Sequence, residues 1–381
     1  MRCATLPTTS PIRLGLFLLM PVVLLVACGG GDNGGGSSTP SASAMKLAYV
    51  ANWNSGNVST FGVNSDGSVT ALLPPTVAGQ HPHTINVDPA ARFVYVANHE
   101  SDFLSGYTVN KTTGALAPVP AATLTTGDSP HASVFDKSGK FLYVVNGIAT
   151  AQITANIVNA DGTLTRIGAP ISTGAHSHNL GIDPSGRFIY VASQDSNQIF
   201  AFAVNQSTGG LTQLPGSPYT GTSGPLDAVV DQTTQFAYIS NSGGEIQAFM
   251  IDPATGGLTP IAGPSVILSG GLFAHTIVID HTNNFLYTGN INSNNVSGFQ
   301  INHSTGALTV VQGSPFATGN QPEGVTLHPT DEVLFVTNFG DQTISRFSIN
   351  NTTGQLTLSG NFQDTTAPAS VSGPISVGIA D

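Results

Sequence analysis

Cysteine, charge and tryptophan are all scarce in this chain. Its 381 residues include two cysteines, Cys3 and Cys28, and one tryptophan, Trp53. Nothing after residue 28 can form a disulfide, so no cystine framework holds the body together. Charged residues make up 8%, and acids outnumber bases 21 to 10. A sparsely charged, acidic chain excludes nucleic acid as a partner, and excludes electrostatic attachment to anionic membranes. Beyond the N-terminal segment, no stretch keeps a helical apolar period for ten residues. What is plentiful is glycine (44) and proline (24). That composition suits short strands joined by tight turns.

The one long apolar run lies at the start. Residues 1–27 carry Arg2 and Arg13, then "LGLFLLMPVVLLVA" up to Ala27. This reads as an export signal, too short and too broken by Pro21 for a comfortable membrane span. Leu25-Val26-Ala27-Cys28 resembles the bacterial lipobox, which implies lipidation at Cys28. The alternatives are a plain signal peptide cleaved near Ala27, or a short anchor. Gly29 after the cysteine resembles outer-membrane sorting in Gram-negative cells. Residues 28–45 form a Gly/Ser-rich tether. Removal of 1–27 leaves 8 basic against 21 acidic residues, a net charge of −13. The expected product is an exported protein, lipid-anchored in the cell envelope and touching the membrane only through its lipid.

The body, 46–381, repeats. "LAYVAN", "VYVANH", "LYVVNG", "IYVASQ", "AYISNS", "LYTGNI" and "LFVTNF" recur with their aromatic at Tyr49, Tyr95, Tyr143, Tyr190, Tyr238, Tyr287 and Phe335. About 14 residues on, each copy has a turn of the type "VNQSTGGLT", with Asn or Asp opening it and Gly able to take a positive φ. A second turn, as in "IDPSGRF", precedes the aromatic strand. Each copy is thus four short strands. Seven such units imply an all-β, seven-bladed β-propeller. The chain begins in a second strand and stops in a first strand, 372–381. That last strand is expected to complete the blade begun at the N-terminus and so close the ring.

The "YV-x-N" strands paired with "TG-x-LT" hairpins resemble the lactonase family of seven-bladed propellers, whose best-known activity is 6-phosphogluconolactonase. The "FVTN" at 335–338 also resembles YVTN-type repeats of exported proteins. The likeness spans 46–381 and implies a carboxylic ester hydrolase acting on a lactone. Members share "GPRH" and "QPRG" at first-strand starts. Here the matching stretches are "GPLD" (224–227) and "QPEG" (321–324). Both arginines are missing, which points to a non-phosphorylated substrate.

Aligned first-strand starts place His83, His131, His178, Leu226, His275, Glu323 and Ile375 at one position. His81 and His176 precede that position by two, and Asp227 follows it by one. Propeller geometry gathers these residues at one mouth of the channel. Imidazoles suit the general base of lactone hydrolysis. His131, His178 and His275 are candidate catalytic groups, with Glu323 as orienting group or base. His81, His83, His99, His176, Asp227 and Trp53 are candidate substrate contacts, with Glu100 and Asp102 beside them. The bland alternative is polar residues that satisfy turn backbone. Two further functions stay open. One is a non-catalytic exported propeller that binds a cell-envelope protein or a carbohydrate-like ligand. The other is a divalent-metal protein with His83, His131, His178 and His275 as ligands. Lactone hydrolysis itself calls for no cofactor, and a monomer is expected. The asparagines after the aromatic strand are expected to cap turns, and the third-strand aromatics (Phe61, Tyr107, Phe202, Phe249, Phe299, Phe347) to pack between blades.

Overall fold

The seven aromatic repeats become the seven second strands: Lys46–Asn52, Phe93–Asn98, Phe141–Asn146, Phe188–Ser193, Phe236–Asn241, Phe285–Asn290 and Val333–Asn338. All but Lys46 are fully buried, which is why they read as unbroken apolar runs. The computed structural model describes residues 46–64, 67–119, 127–147, 151–261, 266–267, 273–363 and 373–380. The signal, the tether and Cys28 lie outside the described residues.

Each second strand sits inside an antiparallel sheet of four strands. Its inner neighbours are Pro82–Val87, Pro130–Phe135, Ser177–Ile182, Pro225–Val230, Ala274–Ile279, Pro322–Leu327 and Pro374–Ala380. Two outer strands are interrupted, so Val266–Ile267 and Phe316–Ala317 appear as extra short pieces. The inner strands pack side by side around one axis. Pro374–Ala380 pairs with Lys46–Asn52, with Tyr49 opposite Gly378, so the two ends of the chain close the ring in one blade.

Seven buried apolar clusters hold this ring, one at each blade interface. Polar ties accompany them. The hydroxyls of Tyr49, Tyr95, Tyr143, Tyr190, Tyr238 and Tyr287 donate to the carbonyls of Gly114, Gly162, Gly209, Gly256, Gly306 and Gly354, at 2.5 to 3.2 Å. Each glycine belongs to the hairpin of the following blade. Gly256 shows why the residue must be glycine: its φ is +75°, and a Cβ there would stand 2.4 Å from the Phe188 ring. The seventh aromatic is Phe335, which has no hydroxyl to donate.

The remaining landmarks are also structural. Asp88, Asp136, Asp183, Asp231 and Asp280 each accept the backbone N–H of a phenylalanine five residues on, at 2.6 to 2.9 Å. Asn52, Asn98, Asn290 and Asn338 donate to serines on the third strand at 2.8 to 2.9 Å. Asn156, where the third-strand aromatics break off, is buried and donates to the Leu142 carbonyl.

Tyr190→Phe should cost about 1–3 kcal/mol, because the Gly256 carbonyl stays buried without its donor. Gly256→Ala should cost more, since strain and overlap are added. Both effects are read from the midpoint of urea unfolding. Equal stability of wild type and Tyr190→Phe would show that the tie contributes nothing.

Candidate functional site

The second residue of each inner strand faces the axis at one end of the ring. In chain order from the second blade these are His83, His131, His178, Leu226, His275, Glu323 and, on the closing strand, Ile375. Just before each inner strand the chain turns through a left-handed residue: His81, Ser129, His176, Gly224, Phe273, Gln321 and Gly373, with φ between 50° and 73°. Its carbonyl accepts the N–H of the residue that follows the second strand. His99 pairs with His81, Gln194 with His176 and Trp53 with Gly373 at 2.8 to 2.9 Å. The same kink and clamp in all seven blades bring two loops to one face. Five of the seven kinks are non-glycine, a backbone state that local context has to hold.

Four imidazoles meet on the axis. Ring centroids lie 4.7 Å apart for His83–His131, 5.1 Å for His131–His178 and 4.8 Å for His178–His275. His83 and His275 stand 6.5 Å apart across the ring. The four are only 5 to 8% exposed, so they plug the channel rather than line an open mouth. Beneath the plug a cavity of about 680 Å³ runs past Asp227 and Asn86 to Lys137 and His281 at the opposite face.

Next-blade backbone orients two of these rings. His83 Nδ1 lies 3.0 Å from the His131 carbonyl oxygen, so this nitrogen carries the proton. His275 Nδ1 lies 2.9 Å from the Glu323 carbonyl and 3.1 Å from Glu323 Oε2. Thr84 and Thr276, one residue on, donate to the same two carbonyls. His131 differs: both its nitrogens are buried without a hydrogen-bond partner.

A half-buried layer covers the plug. His99 contacts His131 at 4.6 Å, and His176 does so at 5.2 Å. Trp53 stacks on His81 at 4.5 Å and tilts against His99 at 5.4 Å. A groove of about 400 Å³ opens beside Trp53 and His81. Carboxylates rim this layer. Glu100 Oε2 stands 2.9 Å from His81 Nδ1, and Asp195 Oδ1 stands 3.6 Å from His176 Nδ1. Asp195 is a partner that motif reading missed. Its signal was available, because "SQD" (193–195) matches the loop position of "NHE" (98–100). Asp102 accepts the Ser129 N–H.

Asp227 does not join the imidazoles through a hydrogen bond. Its two oxygens accept the N–H groups of Ala228 and Ile277, tying adjacent inner strands. Burial raises its pKa to about 7, against the pull of those two donors. Burial acts in the opposite sense on the histidines. It lowers His83 to about 3, helped by neighbouring imidazoles, and holds His131 and His178 well below 6.5. His99 is lowered for the same reason. His83, His131 and His178 are therefore neutral at physiological pH.

Among the described residues, no lysine or arginine occurs in the loops of this face or on the inner strands. Arg92, Lys140 and Arg187 sit in the turns at the other end, bound to Gly139, Ser207 and Pro253 carbonyls.

In the unfolded chain His83, His131 and His178 take up protons below about pH 6.5. In the folded chain they refuse them until much lower pH. Their contribution to stability is fully present above 6.5 and is lost as pH falls well below it, for His83 towards about 3. Each adds up to about 1.4 kcal/mol per pH unit in that window. Asp227 works the other way, favouring the folded state least above pH 7. Tm measured against pH should fall less steeply in His83→Gln/His131→Gln/His178→Gln than in wild type. Parallel curves would contradict buried neutral rings.

Comparison with known proteins agrees with this architecture. The family model described as "Lactonase, 7-bladed beta-propeller" matches residues 32–260 and 171–372. No curated protein matches the chain. Among solved structures, a candidate 6-phosphogluconolactonase from Bacteroides fragilis is 22% identical, with a TM-score of 0.75 over 90% of this chain and 99% of its own. The periplasmic gluconolactonase of Pseudomonas aeruginosa is 17% identical, with a TM-score of 0.75 over 89% of this chain and 99% of its own. A Lactobacillus plantarum protein is 20% identical at a TM-score of 0.71, over 89% of this chain and all of its own. Those likenesses speak for the fold, and with the family match over most of its length this chain belongs to the lactonase family of seven-bladed β-propellers.

Proposed function

We propose that this protein is an exported, lipid-anchored hydrolase of a non-phosphorylated lactone, working at the face that carries the histidines. One observation carries this reading: that face combines half-buried histidines, paired carboxylates and one tryptophan with no cationic side chain among the described residues. A phosphorylated substrate would meet Glu100, Asp195 and Glu323 and find no guanidinium or ammonium group. A neutral sugar-like lactone can lie against Trp53 and His99.

His176 is the base in this reading, with Asp195 facing its Nδ1 and the other ring nitrogen free for water. Water loses a proton to His176 and attacks the carbonyl carbon. Neutral His99 donates to the developing oxyanion. The ring C–O bond then breaks, and the alkoxide takes the proton back from His176. The product is a hydroxy acid, whose carboxylate the acidic face repels. His83, His131, His178, His275 and Glu323 form the floor of the site. The lipobox-like Leu25-Val26-Ala27-Cys28 and the Gly/Ser tether support export and anchoring. A fold neighbour named as a periplasmic gluconolactonase is in keeping with that compartment.

The test is hydrolysis of a panel of neutral and phosphorylated lactones by the purified chain. Neutral lactones should be turned over preferentially. His176→Asn should lower kcat/KM by about 10²–10⁴-fold with Tm unchanged. Preference for the phosphorylated lactone would overturn the substrate class. A folded protein without turnover would overturn the hydrolase and favour a non-catalytic ligand-binding propeller.

A further inference from the structure

The floor of this face raises a question that lactone chemistry leaves unanswered. Why should four buried imidazoles be packed against one another on the axis of a propeller? Leu226 and Ile375, at the equivalent positions of two other blades, show that apolar side chains fit this ring. Burying histidine there instead costs desolvation. For His131 the cost is not offset, since both nitrogens lack a partner.

We propose that His83, His131 and His178 bind one divalent first-row transition metal ion of the zinc class. One nitrogen from each of the three rings falls within 4.8 Å of the others. Zn–N bonds of about 2.0–2.1 Å place ligand nitrogens about 3.4 Å apart in a tetrahedron. Modest rotation of the rings about their χ angles closes that gap. The three ligands come from three successive inner strands, which the ring holds side by side.

Three further observations support the assignment. The first is the state of His83. Its Nδ1–H is committed to the His131 carbonyl, so Nε2 is the bare nitrogen. A ligating histidine typically donates its other N–H to a carbonyl or carboxylate in this way. The second is charge. Glu323 lies on an inner strand farther round the same ring, Glu100 and Asp195 rim the layer above, and no cation opposes them among the described residues. Such a rim concentrates divalent cations at the mouth. The third is softness. An all-imidazole set suits zinc, copper, nickel or iron and disfavours magnesium and calcium, which prefer oxygen ligands. Three protein ligands also leave one coordination position open, as in metal sites that hold an exchangeable water.

His275 is not part of the ligand set. Its ring stands 6.5 Å from His83, and only His83, His131 and His178 bring one nitrogen each within 4.8 Å of one another. This proposal is independent of lactone hydrolysis, because a metal site at the floor is compatible with a catalytic or a purely binding face.

The test uses the purified chain, stripped with a chelator and then titrated with Zn²⁺ or Co²⁺ alone. One ion should bind per chain, with a rise in Tm. Cobalt should show the visible ligand-field bands of a four- or five-coordinate nitrogen site. His131→Ala should weaken zinc binding by more than the roughly 10–100-fold typical of a lost second-shell partner. His178→Gln, closer in volume, gives the same reading if His131→Ala does not fold. His281→Ala, at the opposite face, should bind as wild type does. Binding below one ion per chain would overturn the proposal. So would loss of binding in His81→Ala with retention in His178→Gln, which would place the ion on the exposed pair with Glu100.

Discussion

A tyrosine hydroxyl donated across a blade interface to a glycine carbonyl ties six of the seven apolar interfaces that hold the ring. It explains why two distant sequence landmarks repeat together. The tyrosine sits in a fully buried second strand, and the glycine sits in the hairpin of the following blade. Only glycine can supply both the positive φ and the space beside the phenylalanine that opens the preceding blade's second strand. Six interfaces use this tie. The seventh, with Phe335, relies on its apolar cluster. Closure of the ring is secured separately, by backbone pairing of Pro374–Ala380 with Lys46–Asn52.

That ring geometry creates the site. Inner strands held in lateral register place their second residues at one level, and the left-handed residue before each strand folds two loops over that level. Side chains that are 47 or 48 residues apart in sequence become neighbours around one axis. Short links strengthen the register. Thr84 and Thr276 reach the carbonyls of the next strand, and Asp227 accepts the Ile277 N–H. The same alignment that carries histidine in four blades carries Leu226 and Ile375 in two others. The fold therefore tolerates either at this position.

Two layers divide the work at this face. Below, buried His83, His131 and His178 stay neutral because the interior disfavours their charged form. Above, half-buried histidines sit beside carboxylates in reach of solvent. Cations are kept to the other parts of the molecule, where Arg92, Lys140 and Arg187 hold turn carbonyls. The protein thus presents an acidic, nitrogen-rich face to its surroundings.

The sequence by itself determined the seven blades, their four strands, the closing strand and the end of the channel where the histidines gather. Each rests on periodic side-chain or turn chemistry that acts within one repeat. It also contained the equivalence of Glu100 and Asp195, which a lone histidine motif does not reveal. Only the tertiary structure decided which histidines are buried and which meet solvent. It decided as well that Asp227 ties strands, and that His131 has no partner for either nitrogen. Burial and partner choice depend on how far side chains from different blades reach across the axis. That distance is set by the closure of seven sheets into one ring, and no single repeat encodes it.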